Sequence, residues 1–307
     1  MHRRTFLRGV ALAVLAGRSR ASAQESPAAG PLDLLAYSLG PIVWVRCGGR
    51  ALTCYRAHAT QKYPYFYPVA GPLTGAPLTE ESGDPYPHHR SVYIGCDRVN
   101  GANYWQEGLE RGRIVSRGPA IAQGTAAHVV ITDACDWVLD GREPDVTDTR
   151  RFTVTAPSAA LRLIDADITL TAARDVTIEK SNHSLFSVRA AADLTPLAGG
   201  HLVNSEGQAG EKATFGQPAK WCAFWAARPG GTEGIALMDH PSNPWQPCPW
   251  FTRDYGFMSP TPLNWLEVPG MALPAGSQIS LRYRVVAYAG TPEEAGLAAL
   301  YDGWAAG

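Results

Sequence analysis

Four segments of the chain concentrate side chains able to move protons, hold ions or bind hydroxyl groups. The first is Asp84-Pro85-Tyr86-Pro87-His88-His89-Arg90, two adjacent histidines and an arginine behind a proline turn. On an extended backbone His88 and His89 face opposite sides, so at most one enters a given cleft. That histidine could ligate a metal or transfer a proton, while Arg90 holds an anion or a sugar hydroxyl. The second segment runs from Asp97 to Trp105; Asn100-Gly101 marks a tight turn, and Tyr104 and Trp105 offer flat faces on which a sugar ring could stack. The third, 203–212, carries Asn204, Glu206, Glu211 and Lys212 among glycines, and two carboxylates flanking a bond can do acid and base work. A neighbouring Lys212 would favour the ionised form of either one. The fourth is Met238-Asp239-His240-Pro241-Ser242-Asn243-Pro244. There an Asp-His pair at a strand end, braced by prolines, could act as an acid/base pair or as metal ligands. Each segment also has a plainer reading, as a hydrogen-bonded loop or as core aromatics beside a turn.

The elements that must position these groups read as strands. Runs at 42–47 and 52–55 flank Gly48-Gly49 and predict a hairpin. Further strands are expected at 91–95, 114–117, 127–132, 151–155, 161–171, 176–178, 185–189, 221–226, 234–238 and 279–287. The clearest is 161–171, in which polar residues recur through a β-branched run. Turn residues separate the strands at short intervals, which predicts an all-β antiparallel sandwich or barrel. One helix is expected near the end, over 292–301, with Thr291 as its cap and Glu293 and Glu294 in the first turn. No repeat, heptad or linker appears, so residues 24–307 read as one domain.

Composition narrows the function classes. The 307 residues carry 28 acidic and 27 basic side chains, a formal net charge of -1. Without a basic surplus, a duplex nucleic acid is not an expected partner. Nine tryptophans and 45% apolar residues exclude a disordered chain. No P-loop or dinucleotide fingerprint is present, so no nucleotide cofactor is expected, while a divalent metal stays open. There is no Gly-x-Ser-x-Gly elbow and no His-Glu-x-x-His motif.

The first 23 residues read as an export leader. Arg3-Arg4 before Phe6-Leu7, a short apolar stretch over 10–16, and Ala21-Ser22-Ala23 at the end match a twin-arginine signal. The apolar stretch is far below the ~20 residues that span a bilayer, so no membrane anchor is expected after its removal. The expected location is periplasmic or secreted, with the twin-arginine export machinery as a transient partner. Six cysteines remain after cleavage, without Cys-x-x-Cys spacing, and either disulfides or buried thiols fit that count.

The chain resembles a bacterial domain of unknown function that carries the label methane oxygenase PmoA. The matching residues are Tyr65-Phe66-Tyr67-Pro68 with Gly71-Pro72, Pro87-His88-His89-Arg90-Ser91, Asn100-Gly101 with Tyr104-Trp105, Asn204-Ser205-Glu206-Gly207, Gly210-Glu211-Lys212, and the stretch from Asp239 to Pro244. They extend over roughly 40–290. Cys96 departs from the pattern, standing where a histidine is expected. The label itself does not fit, because the methane-oxidising membrane enzyme needs transmembrane helices and this chain has no such stretch after its leader. The resemblance implies a role in glycan breakdown and a β-sandwich similar to the galactose-mutarotase supersandwich or a jelly roll.

The expected function is an exported carbohydrate-active protein that cleaves a glycosidic bond. The catalytic candidates are His89, Glu211, Asp239 and His240. His88, Arg90, Asn100, Asn204, Glu206, Lys212, Asn243 and Tyr255 would orient substrate, and Trp105 and Trp221 would stack on it. The rival readings are a non-catalytic sugar-binding module, and a metal-dependent lyase, epimerase or oxidase using His88 or His89 with His240.

Overall fold

A computed structural model describes residues 30–106, 108–182 and 185–307. The leader over 1–23 lies outside the described residues. Among the described residues, antiparallel strands build three sheets. The first has the order Leu34–Leu39, Ile42–Cys47, Arg50–Arg56, Tyr65–Val69, Val92–Gly95, Leu185–Arg189, Phe257–Pro260, Trp250–Arg253. The second has the order His201–Asn204, Trp221–Arg228, Gly231–Asp239, Gln278–Ala289, Leu161–Ala172, Val146–Ser158, His128–Val138, Arg113–Ser116, with Ala120–Gly124 also paired to His128–Val138. A small third sheet joins Met271–Leu273, Val176–Ile178, Asp97–Val99 and Ala102–Asn103.

The local reasons are legible. Gly48 and Gly49 both have positive φ, +54° and +76°, which a two-residue hairpin between right-twisted strands requires. Asn100 and Gly101 repeat the device at φ +48° and +76° in the third sheet. Along Leu161–Ala172 burial alternates residue by residue from Ile164 to Ala172, as in a strand with one face in a core.

The first two sheets pack face to face as a sandwich. Tyr55 and Phe66 of the first sheet meet Phe152 of the second at ring-centroid distances of 5.2 and 4.8 Å, and Phe186 stacks on Tyr283 at 4.7 Å. Val99, Ala102, Val176 and Ile178 of the third sheet join the same core. One buried ion pair lies between the layers. Arg150 Nε and Nη2 donate to the Asp148 oxygens at 2.6 and 2.8 Å, and Trp137 Nε1 donates to Asp148 at 2.7 Å.

The terminal helix spans Leu297–Ala305, later than the expected 292–301. Thr291 and Glu294 do form a reciprocal capping box: Thr291 N donates to Glu294 Oε2 at 2.9 Å and Glu294 N to Thr291 Oγ1 at 3.2 Å. Gly296, at φ +67°, then breaks that turn, and the helix restarts after it. The helix lays Leu297, Tyr301 and Trp304 over Trp221, Met238 and Tyr288 on the outer face of the second sheet. A one-turn helix, Glu211–Thr214, stands where the sequence suggests only a polar loop. Among the described residues no helix is long and apolar enough to cross a membrane.

Candidate functional site

The outer face of the first sheet, away from the sandwich core, is unusually polar and aromatic. Strand pairing puts Arg253 opposite Phe257, and Phe257 opposite Arg189. Two residues along, Ser187 pairs with Tyr93, which pairs with Tyr65. Side chains on one face of a sheet recur at every second residue, so these rows share a surface. Arg189 is only 3% exposed, and its Nε donates to Glu80 at 3.3 Å. Glu81 accepts from the Tyr65 hydroxyl and, at 3.3 Å, from Arg56 Nη1.

Three loops lay rings over this face. His89 sits 4.5 Å from Phe257, is stacked 5.5 Å from Trp105, and lies between Tyr86 at 5.0 Å and Tyr255 at 6.0 Å. His88 stands edge-on to Trp105 at 4.7 Å, and its carbonyl accepts from the Tyr63 hydroxyl. Trp105 donates through Nε1 to Tyr93 Oη at 2.8 Å. Gly95 makes room for it, since a Cβ there would lie 3.0 Å from Trp105 Cδ1. The Arg189 guanidinium lies 4.7 Å from the Tyr255 ring centroid. Burial, with Tyr86 close by, pushes the Tyr255 hydroxyl up to about 12, so it stays protonated at neutral pH.

Glu211 joins this cluster from the one-turn helix. Its Oε1 accepts from Arg253 Nη1 at 3.2 Å, and its Oε2 from the Asp254 backbone N–H at 3.0 Å. In return, the Glu211 N–H donates to Asp254 Oδ1 at 2.8 Å. Arg253 in turn lies over the rings of Phe251 and Phe215, at 4.1 and 4.4 Å. The carboxyl group is thus fixed at both oxygens while its side chain stays 36% exposed. Buried His89 and Trp105 form the floor; Tyr86, His88, Tyr255, Glu211 and Arg253 are open to solvent in part or in full.

Other expected site residues lie elsewhere. Asp239, His240 and Asn243 form a separate cluster at one end of the second sheet. Asn243 Nδ2 donates to Asp239 Oδ1 at 2.6 Å and to the Arg282 carbonyl at 2.8 Å. Asp239 is 1% exposed, and burial pushes its carboxyl up to about 7. The Ser242 N–H donates to His240 Nδ1 at 3.1 Å, and Arg282 Nη1 lies 3.0 Å from Nε2. Burial and Arg282 hold the His240 imidazole below its usual range, hence neutral at pH 7. Asn100 clasps the third sheet, accepting from Thr177 N at 2.9 Å and donating to Asp145 at 3.2 Å. Asn204 closes its own turn by accepting from Glu206 N and Gln208 N at 3.1 and 3.0 Å. Glu206 and Lys212 are exposed, and Trp221 is buried beside the terminal helix. Arg90 faces the Tyr65 ring at 5.7 Å, at the rim of the outer-face cluster. Among the described residues, no three His, Cys, Asp or Glu side chains converge as a metal-binding group.

The sequence reading missed Arg189, Arg253, Glu80 and Glu81. A signal was present for Arg189: in Leu185-Phe186-Ser187-Val188-Arg189 the polar residues recur at a spacing of two, on the face opposite Phe186 and Val188.

An antiparallel β-sandwich with an Arg-, Glu- and aromatic-lined outer face is the class of protein that fold and site define. By sequence, the chain belongs to a family of unknown function, DUF6807, whose model matches residues 43–302. No curated protein matches it, so no curated relative supports the methane-oxygenase label. Among solved structures, a polysaccharide lyase is similar over 86% of this chain, at 10% identity and a TM-score of 0.27. The match covers 33% of that structure, so this chain spans about a third of its length.

Proposed function

We propose that the chain is an exported carbohydrate-active enzyme that cleaves glycosidic bonds on the outer face of its first sheet. The observation that carries the reading is that Glu211 is fixed by Arg253 and Asp254, the two residues that lead into Tyr255 of the Tyr86–His89–Tyr255 ring cluster. Ring C–H groups of a sugar pack on aromatic faces, and Tyr86 and Tyr255, 5.0 Å apart, offer such a surface. In hydrolysis a water oxygen bonds to the anomeric carbon while the glycosidic C–O bond breaks. The leaving oxygen gains a proton and the water loses one. Glu211 and His88, both partly exposed, are the groups assigned to those two transfers. Buried His89 and Arg189 position the rings. Asp239 and His240, in their own cluster, are given no proton-transfer role.

One observation favours a second reading. Arg90, Arg189 and Arg253 all lie over site rings, and this concentration of guanidinium groups suits an acidic sugar. Such a sugar can be cleaved by elimination, with a proton leaving the carbon next to the carboxylate. The first test is a mass profile of products from neutral and acidic oligosaccharide pools. Products that sum to substrate plus water support hydrolysis; products that sum to the substrate mass, with a new ultraviolet absorbance, support elimination. If no substrate in either pool changes, the enzyme reading falls and a sugar-binding module takes its place.

A further inference from the structure

Arg162 is a buried cation with no anion beside it. It is 9% exposed, at the start of strand Leu161–Ala172. Its Nη1 donates to the carbonyls of Ser158 and Leu161, both at 2.7 Å. Nε and Nη2 donate to no protein acceptor among the described residues, and the residue makes no ion pair there. Burial lowers its pKa, and no carboxylate is among its charged neighbours. Neither Nε nor Nη2 is sealed from solvent, so both donors are open to a water or an anion. The other buried arginines show what this fold ordinarily does: Arg150 has Asp148, Arg189 has Glu80, and the largely buried Arg228 side chain has Glu233.

Arg162 lines a small cavity of about 40 Å³ where the first and second sheets meet. Cys47, Arg50, Gly71 and Gly75 are also on its wall, and no Asp or Glu is. A Cβ on Gly75 would stand 3.9 Å from Arg50 Cδ, so the Arg50 stem runs beside this loop, at the cavity. A water needs about 10–15 Å³ of such space. The volume therefore admits a halide or one tetrahedral oxyanion, and excludes a sugar.

We propose that this cavity is a binding site for a small inorganic anion, held by Arg162 from within and Arg50 at the mouth. It is separate from the outer-face site and does not depend on the function assigned there. An anion bound to the folded state alone stabilises it by mass action. The test is a thermal melt of the full chain at constant ionic strength, exchanging a bulky organic anion for chloride, sulfate or phosphate. The melting temperature should rise with the logarithm of one of these concentrations. Arg162→Met should abolish the response. Arg50→Ala, an exposed change that leaves the core intact, should require roughly tenfold more anion for the same shift. Bromide-soaked crystals should give an anomalous peak between the two guanidinium groups. Equal responses in the wild type and Arg162→Met, or bromide peaks only at other places, would overturn the proposal. If Arg162→Met does not fold, an unchanged response in Arg50→Ala together with an empty cavity in the bromide map overturns it equally.

Discussion

Glu211 and Asp239 are both carboxylates, and their surroundings are opposite. Glu211 is fixed at both oxygens yet open to solvent, as a group that exchanges protons with a ligand must be. On any identified substrate, Glu211→Gln should lower turnover at least 100-fold, the usual scale for lost acid–base catalysis, while the melting temperature stays within a few degrees. Unchanged turnover would remove Glu211 from the mechanism. Asp239 is sealed, and its carboxyl rises from 3.8 to about 7 on folding. The folded chain therefore holds a proton that the unfolded chain releases. Its contribution to stability is complete below about pH 4 and is lost as pH rises toward 7, at up to roughly 1.4 kcal/mol per pH unit. Asp239→Asn should flatten that slope and raise stability at pH 7, as denaturant titrations at a series of pH values would show. A slope identical to that of the wild type would mean the carboxyl is not protonated.

At the level of the element, the close approach of Trp105 to the first sheet depends on Gly95. A methyl group there would meet Trp105 Cδ1 at 3.0 Å and Trp105 Cβ at 3.2 Å. Strand Val92–Gly95 is buried throughout, so neither partner has space to retreat. Gly95→Ala should cost about 1–3 kcal/mol, the range for overpacking, and should weaken the near-ultraviolet dichroism of the ring cluster. A variant as stable as the wild type, with unaltered dichroism, would show that Trp105 is not held there. The one-turn helix is a related case. Four residues hold no helix on their own; Glu211–Thr214 is fixed by the reciprocal bonds between Glu211 and Asp254, 43 positions apart.

Across the whole molecule, the sandwich keeps a charged layer inside its core. Asp148 serves Arg150 and Trp137 at once, with pair side chains 1% and 0% exposed. Replacing it strands a buried guanidinium, so Asp148→Ala should cost about 3–5 kcal/mol in urea unfolding. A loss below 1 kcal/mol would mean that water reaches the pair. All six cysteines are buried, and none forms a disulfide among the described residues. Native protein should react slowly with a thiol reagent and expose six equivalents once denatured; rapid native labelling would contradict the packing around them.

The sequence by itself determined the fold class and its turns. Alternation along Leu161–Ala172, the Gly48-Gly49 hairpin and the Asn100-Gly101 turn are set by neighbours one to three residues apart, so they can be read without a structure. It also picked out His88, His89, Trp105, Glu211 and Tyr255, residue types whose chemistry is plain from their names. What it could not supply was company. Arg189, Phe257 and Arg253 become neighbours only through strand pairing between distant parts of the chain. Asp239 and His240, which look as reactive as Glu211 in the sequence, pack at the second sheet instead. Periodicity and turn chemistry are local. Register and sheet order are not, because burial of a whole face selects which strands meet, and that selection decided which polar groups share a surface.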